Sequence, residues 1–151
     1  MNLSENFESV LRQRLDQLHT DGAGTIGDML RLRLIELDRD RGEMLLRCET
    51  QGWMRNLAGT LHGGMCATVV DQAMGCVAWC AKPGEGLCPT VQLQVNYHRP
   101  LMPDEDVLIR IRVVSITRSL IHLSCEAAVA SAPEKLCLTS TATYFYKPRT
   151  A

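Results

Sequence analysis

The chain has 151 residues, 46% apolar and 22% charged, with a formal net charge of −1. That length suits one domain with a hydrophobic core of its own. The near-neutral balance, without long like-charge runs, leaves no electrostatic footprint for nucleic acid.

Residues 1–19 contain no apolar run with a small-residue cleavage site, so no secretory leader is expected there. Instead Phe7, Val10, Leu11, Leu15 and Leu18 recur at helical spacing, which predicts a helix over 5–19 with Ser4 as its N-cap. The glycines at 22 and 24 end it. Two strands follow at 29–37 and 43–49, the first alternating Leu30, Leu32 and Leu34 against Arg31 and Arg33.

From Leu57 to Ala81 the chain reads LAGTLHGGMCATVVDQAMGCVAWCA, and its single formal charge is Asp71. A membrane span is excluded, because His62, Asp71 and Gln72 would face lipid at high cost. The pattern predicts a helix over 62–81, apolar on every side and buried all round, stopped by the Pro and Gly of residues 82–86. Strands are expected at 90–98, 107–116, 120–129 and 136–146, and the short breaks between them imply an antiparallel meander. A helix of this kind needs a curved sheet around it and a cover for what the sheet leaves open. The expectation is therefore α+β: six antiparallel strands around one long central helix, with an added N-terminal helix and a second copy of the chain as cover.

Seven cysteines, an odd number without a C-x-x-C pair, point to free thiols in a reducing, cytosolic compartment. Cys76 and Cys80 share a helix face, but no histidine or second pair stands at ligand spacing. They are read as core, and no metal or cofactor is expected.

Helix geometry sorts the groups that could do chemistry. His62 and Asp71 are nine residues apart, so they point to opposite sides of the helix, about 13 Å apart along it, and cannot form a dyad in one chain. Gly64, Ala67, Thr68, Asp71, Gly75 and Ala78 share a stripe, which serves equally a cleft over Asp71 or close packing against a partner. An isolated carboxylate among apolar residues is costly to bury, which makes Asp71 a candidate for chemistry. Gly63 and Gly64 open the helix, where unpaired N–H groups could receive a developing oxyanion.

Taken together, N-x-x-G-T-L-H-G-G from Asn56 to Gly64, the V-V-D ending nine residues past His62, the strand TVQLQVNYHRPL and the basic turn at Arg118 form a motif set. It resembles the hotdog-fold acyl-CoA thioesterases of the phenylacetate-pathway type, over residues 25–147. The resemblance implies a single hotdog domain, with residues 1–24 as a helical extension. It also implies hydrolysis of an acyl-CoA to free acid and coenzyme A. Asp71 then falls on the general base or nucleophile, Gly63 on the N–H that polarises the carbonyl, Asn56 on a polar helper, and Thr90 on a residue that orients water. In the family these groups meet across a homodimer interface, with Asn56 and Gly63 from one subunit and Asp71 and Thr90 from the other; dimers often pair into tetramers. His62, Gly64 and Thr68 are expected beside the substrate, His62 in a role that the resemblance makes more structural than catalytic, shaping the loop that enters the helix. Arg99, Arg118 and Arg149 are candidates for the coenzyme A phosphates, and Trp53, Met54, Leu57, Met65, Val69 and Trp79 for the acyl pocket. A hotdog hydratase would need an Asp and a His close together, and Asp71 has no such neighbour. A non-catalytic acyl-CoA-binding module is the alternative of a different class.

Overall fold

The computed structural model describes residues 3–82 and 86–148; Arg149 and most of the expected stop at 82–86 lie outside them. Helix α1 (Phe7–Thr20) buries Phe7, Leu11 and Leu15. Asn6, not Ser4, takes its N-cap position and offers no side-chain cap, while the Ser4 carbonyl accepts the Phe7 N–H at 3.0 Å. A one-turn helix α2 (Ile26–Met29) occupies the start of the expected first strand. Arg31, at φ 47°, turns the chain into β1 (Arg33–Asp38), which delays the strand by four residues. Leu30, Leu32 and Leu34 are nevertheless buried, as their alternation predicts.

Strand β2 (Glu43–Glu49) leads through a short 3-10 turn at Gly52–Met54 to the central helix α3 (Gly63–Cys80). Beyond it lie β3 (Gly86–Leu87), β4 (Thr90–Tyr97), β5 (Asp106–Ile116), β6 (Leu120–Val129), β7 (Leu138–Phe145) and β8 (Lys147–Pro148). The six long strands make one antiparallel sheet in the order β1-β2-β5-β6-β7-β4, while β3 and β8 pair separately. The meander is thus confined to β5, β6 and β7. Strand β4 does not pair with its sequence neighbour β5 but lies beyond β7 at the sheet edge. The proline-containing link after it runs under the loop before α3, where Leu61 N–H donates to the Leu101 carbonyl at 2.8 Å. Pro100 and Pro103 cannot donate to a ladder, which suits a crossover rather than a hairpin.

The concave face of the sheet holds α3, and α1 closes one flank by packing on α3 and β1. Phe7, Leu11 and Leu15 belong to the same core as Met74, Val77, Ile109, Ile111 and Leu123. Each such side chain, fully buried, stabilises the fold by about 1.5–3 kcal/mol. The helix is not buried all round, however. Cys66, Val69, Val70, Ala73, Met74, Val77 and Ala78 are covered, whereas Gly64 is exposed and Ala67, Thr68, Asp71, Gln72, Gly75 and Trp79 are only half-buried. The sheet and α1 between them leave this strip open. Beside it, β4 has most of its side chains exposed, with Val91 at 60% and Tyr97 at 55%.

Candidate active site

The entrance to α3 is held from below by backbone hydrogen bonds. His62 N–H donates to the Met54 carbonyl at 2.8 Å, and an isolated bridge joins Arg55 to Leu61. Between them the chain turns back through Gly59, whose φ of 84° favours a residue without Cβ. Asn56 closes this loop: its Nδ2 donates to Thr60 Oγ1 at 2.9 Å, and its Oδ1 accepts the Thr60 N–H at 3.1 Å. His62 caps α3, its Nδ1 accepting the Gly64 N–H at 3.0 Å. That is the structural use of a cap rather than a contact for a ligand. The Gly63 carbonyl accepts from Tyr97 Oη at 2.7 Å, while the Gly63 N–H has no acceptor among the described residues. Thr68 donates back to the Gly64 carbonyl at 2.8 Å, so its hydroxyl is engaged within its own helix.

Two turns further along, Asp71 is half-buried and meets the sheet. Its Oδ1 accepts hydrogen bonds from Thr90 Oγ1 and from Tyr144 Oη, both at 2.9 Å. Tyr144 Oη also lies 2.9 Å from the Asp71 carbonyl oxygen. A register shift between Thr90 and Gln92 places Thr90 opposite Tyr144 across β4 and β7, and so brings both donors to one carboxylate oxygen. Bulges of this kind re-aim side chains next to functional groups. Burial, and then the neighbouring Asp71 charge, push the Tyr144 phenol far above its ordinary range. It therefore stays protonated and keeps donating. Oδ2 has no protein donor among the described residues.

Asp71 opens into a cleft of about 470 Å³, bounded by Gly75, Trp79, Thr90, Tyr144 and, from α1, Arg14. Gly75 widens it, since a Cβ there would touch the Tyr144 ring at 3.5 Å. Trp79 is fixed at the far end by its indole N–H, which donates to the Gly86 carbonyl at 2.9 Å.

Asp71 and Thr90 thus meet in one chain, while Asn56 and Gly63 gather at the helix start. Eight residues separate Gly63 from Asp71, roughly 12 Å of helix, so one chain does not unite the two halves. Arg99 is tied to the Leu136 carbonyl by Nη1 at 2.7 Å and borders a separate hollow of about 280 Å³ beside Tyr97 and Leu101. Arg118 is exposed on the β5–β6 turn, its carbonyl accepting from Lys82 Nζ at 3.1 Å. Of the expected acyl-pocket residues only Trp79 lines the cleft. Met54 and Val69 are core, Met65 packs partly buried against it, and Trp53 and Leu57 are exposed. Six of the seven cysteines, Cys76 and Cys80 among them, are buried free thiols. Among the described residues no group of three or more His, Cys, Asp or Glu gathers as a metal site would require.

Tyr144 was not among the sequence candidates. Its signal was nonetheless present: a tyrosine on the inward face of a buried strand needs a partner for its hydroxyl.

The thioesterase-superfamily sequence profile matches residues 58–131, which span α3 and the strands from β3 to β6. Over those residues the chain is similar to that superfamily, and its six-stranded sheet around α3 is the hotdog fold. The chain is 26% identical over 110 residues to the acyl-coenzyme A thioesterase THEM4 of Rattus norvegicus, an alignment covering 72% of this chain and 45% of that protein. The chain thus spans less than half the length of that curated relative. A thioesterase family protein from Silicibacter pomeroyi superposes with a TM-score of 0.76 at 24% identity, covering 92% of this chain and 99% of that one. A putative thioesterase of Ralstonia eutropha, related to phenylacetic acid degradation, gives 0.73 at 19% identity over 87% and 98%. A Streptococcus mutans protein bound to acetyl CoA gives 0.66 at 20% identity over 80% and 91%. These likenesses establish a shared fold. No helix of the described residues is long and apolar enough to cross a membrane.

Proposed function

We propose that this chain, as a homodimer in a reducing, cytosolic setting, hydrolyses acyl-CoA thioesters with Asp71 as general base. The observation that carries the reading is the carboxylate itself. Thr90 and Tyr144 hold Oδ1, and Oδ2 is left for a proton from water beside an open cleft. A second copy supplies what one chain lacks. The half-open strip of α3 and the edge strand β4 adjoin, and both need cover. Pairing β4 with its copy would continue the sheet and carry each Gly63 toward the other chain's Asp71.

In this reading the water oxygen bonds to the thioester carbon as its proton passes to Asp71 Oδ2. The carbonyl π pair moves onto oxygen, facing the Gly63 N–H of the second copy, with the remaining Asn56 amide hydrogen beside it. Collapse re-forms the carbonyl and expels the coenzyme A thiolate, which takes back the proton. A thioester needs no stronger nucleophile. A positioned base and an oxyanion donor each contribute about two to four orders of magnitude in rate.

The test is coenzyme A release from aliphatic, aromatic and carboxylated acyl-CoAs by wild type and Asp71→Asn, with dimerisation followed by sedimentation. Loss of about a hundredfold or more in an intact dimeric variant supports the reading. Binding without thiol release across the panel would replace it with the non-catalytic acyl-CoA-binding module.

A further inference from the structure

The cleft beside Asp71 holds a cation that hydrolysis does not use. Arg14 reaches it from α1, and its guanidinium lies 4.6 Å from the centroid of the Trp79 ring. Among the described residues its buried Nε has no hydrogen-bond acceptor, and Arg14 forms no ion pair with any Asp or Glu. Asp71, the carboxylate in the same cleft, is engaged instead by Thr90 and Tyr144. A cleft shaped only for a hydrocarbon chain would be lined more cheaply by Leu or Met at this position, because a partly desolvated guanidinium without an anion is destabilising. The cation–π stack fixes the plane of the fork without neutralising it.

We propose that Arg14 is the specificity-determining end of the acyl subsite, and that it receives an acyl group ending in a carboxylate, the monothioester of an α,ω-dicarboxylic acid. The inference rests on the thioesterase reading of Asp71 and names its substrate class. The path is laid out on α3. Asp71, Gly75 and Trp79 follow at four-residue steps, so Trp79 stands roughly 12 Å beyond Asp71 along the axis. Gly75 leaves the space between them free of a side chain. A carboxylate at the far end would meet the planar fork in two parallel hydrogen bonds, a geometry a hydroxyl or methyl end does not match.

The test compares kcat/KM for glutaryl-, adipyl- and suberyl-CoA with pentanoyl-, hexanoyl- and octanoyl-CoA, in wild type, Arg14→Met and Arg14→Lys. Wild type is expected to favour the carboxylated partner by roughly tenfold or more at one chain length, chiefly through KM. That ratio should collapse in Arg14→Met and return in part in Arg14→Lys. A wild-type ratio at or below one at every length overturns the assignment, as does a ratio that Arg14→Met leaves unchanged. The wild-type comparison stands even where Arg14→Met fails to fold. Were wild type to release no coenzyme A from any thioester, the hydrolytic reading would fail. Calorimetric titration with adipyl-CoA against hexanoyl-CoA then decides the subsite alone: preference for adipyl-CoA upholds it, equal affinity removes it.

Discussion

Tyr144→Phe removes a single oxygen from a residue that is 1% exposed, and leaves its ring and the packing around it in place. What is lost is one of the two donors to Asp71 Oδ1. A hydrogen bond to a charged group contributes about 1.5–3 kcal/mol. Asp71 is half-buried and keeps Thr90, so the lower end applies. A loss of roughly 1.5 kcal/mol in holding the carboxylate corresponds to a kcat about tenfold lower, with KM little changed. Because the effect passes through the Asp71 charge, it should shrink when that charge is gone. A double-mutant cycle with Asp71→Asn is expected to give a coupling of about 1 kcal/mol, read in urea unfolding followed by tryptophan fluorescence. Coenzyme A release supplies the kinetic arm. The reasoning fails if Tyr144→Phe keeps kcat within about twofold, or if the two substitutions add within about 0.3 kcal/mol in unfolding.

Val91→Glu places a charge on the open edge strand, at a side chain 60% exposed in the single chain; sedimentation should show a shift to monomer, with activity lost in parallel. His62→Ala removes the acceptor for the Gly64 N–H and should lower unfolding free energy by about 1 kcal/mol, while His62→Asn recovers most of it. Alkaline pH should also destabilise the fold. Burial holds the Cys48, Cys80 and Cys125 thiols up at about 12 against an ordinary 9.0, so the native state keeps protons that the unfolded chain sheds. Their contribution is complete below pH 9 and is lost as pH rises toward 12, roughly 2 kcal/mol each by pH 10.5. Urea midpoints at pH 8 and 10.5 measure it, and a flat midpoint would contradict the burial of these thiols.

Local chemistry made much of the fold legible. The leucine spacing of α1, the alternation of Leu30, Leu32 and Leu34 and the long apolar run of α3 each follow from side-chain period, which acts over a few residues. The glycine pair after His62 likewise marked the helix start, and the lone charge of the apolar segment marked Asp71. Periodicity was blind to pairing partners, so β4 was expected in a meander, and the link through Pro100 and Pro103 carries it instead to the far edge. It was equally blind to coverage: an apolar helix pattern does not say which strip the sheet leaves open.

The site divides along the same line. Asp71, Gly63, Asn56 and Thr90 were nameable because they stand in or beside one recognisable run of sequence. Tyr144 lies 73 residues from Asp71 and Thr90 lies 19 away, yet both donate to the same oxygen because β4 and β7 are neighbours with a shifted register. Arg14 joins that cleft from the other end of the chain because α1 packs on α3. What the sequence determined by itself was the kind of each long element and the candidates for chemistry, since both depend on nearest neighbours along the chain. Which donors converge on Asp71, which strip of α3 stays open and which cation faces the cleft were decided only by tertiary packing, because long-range contacts depend on sheet order and register.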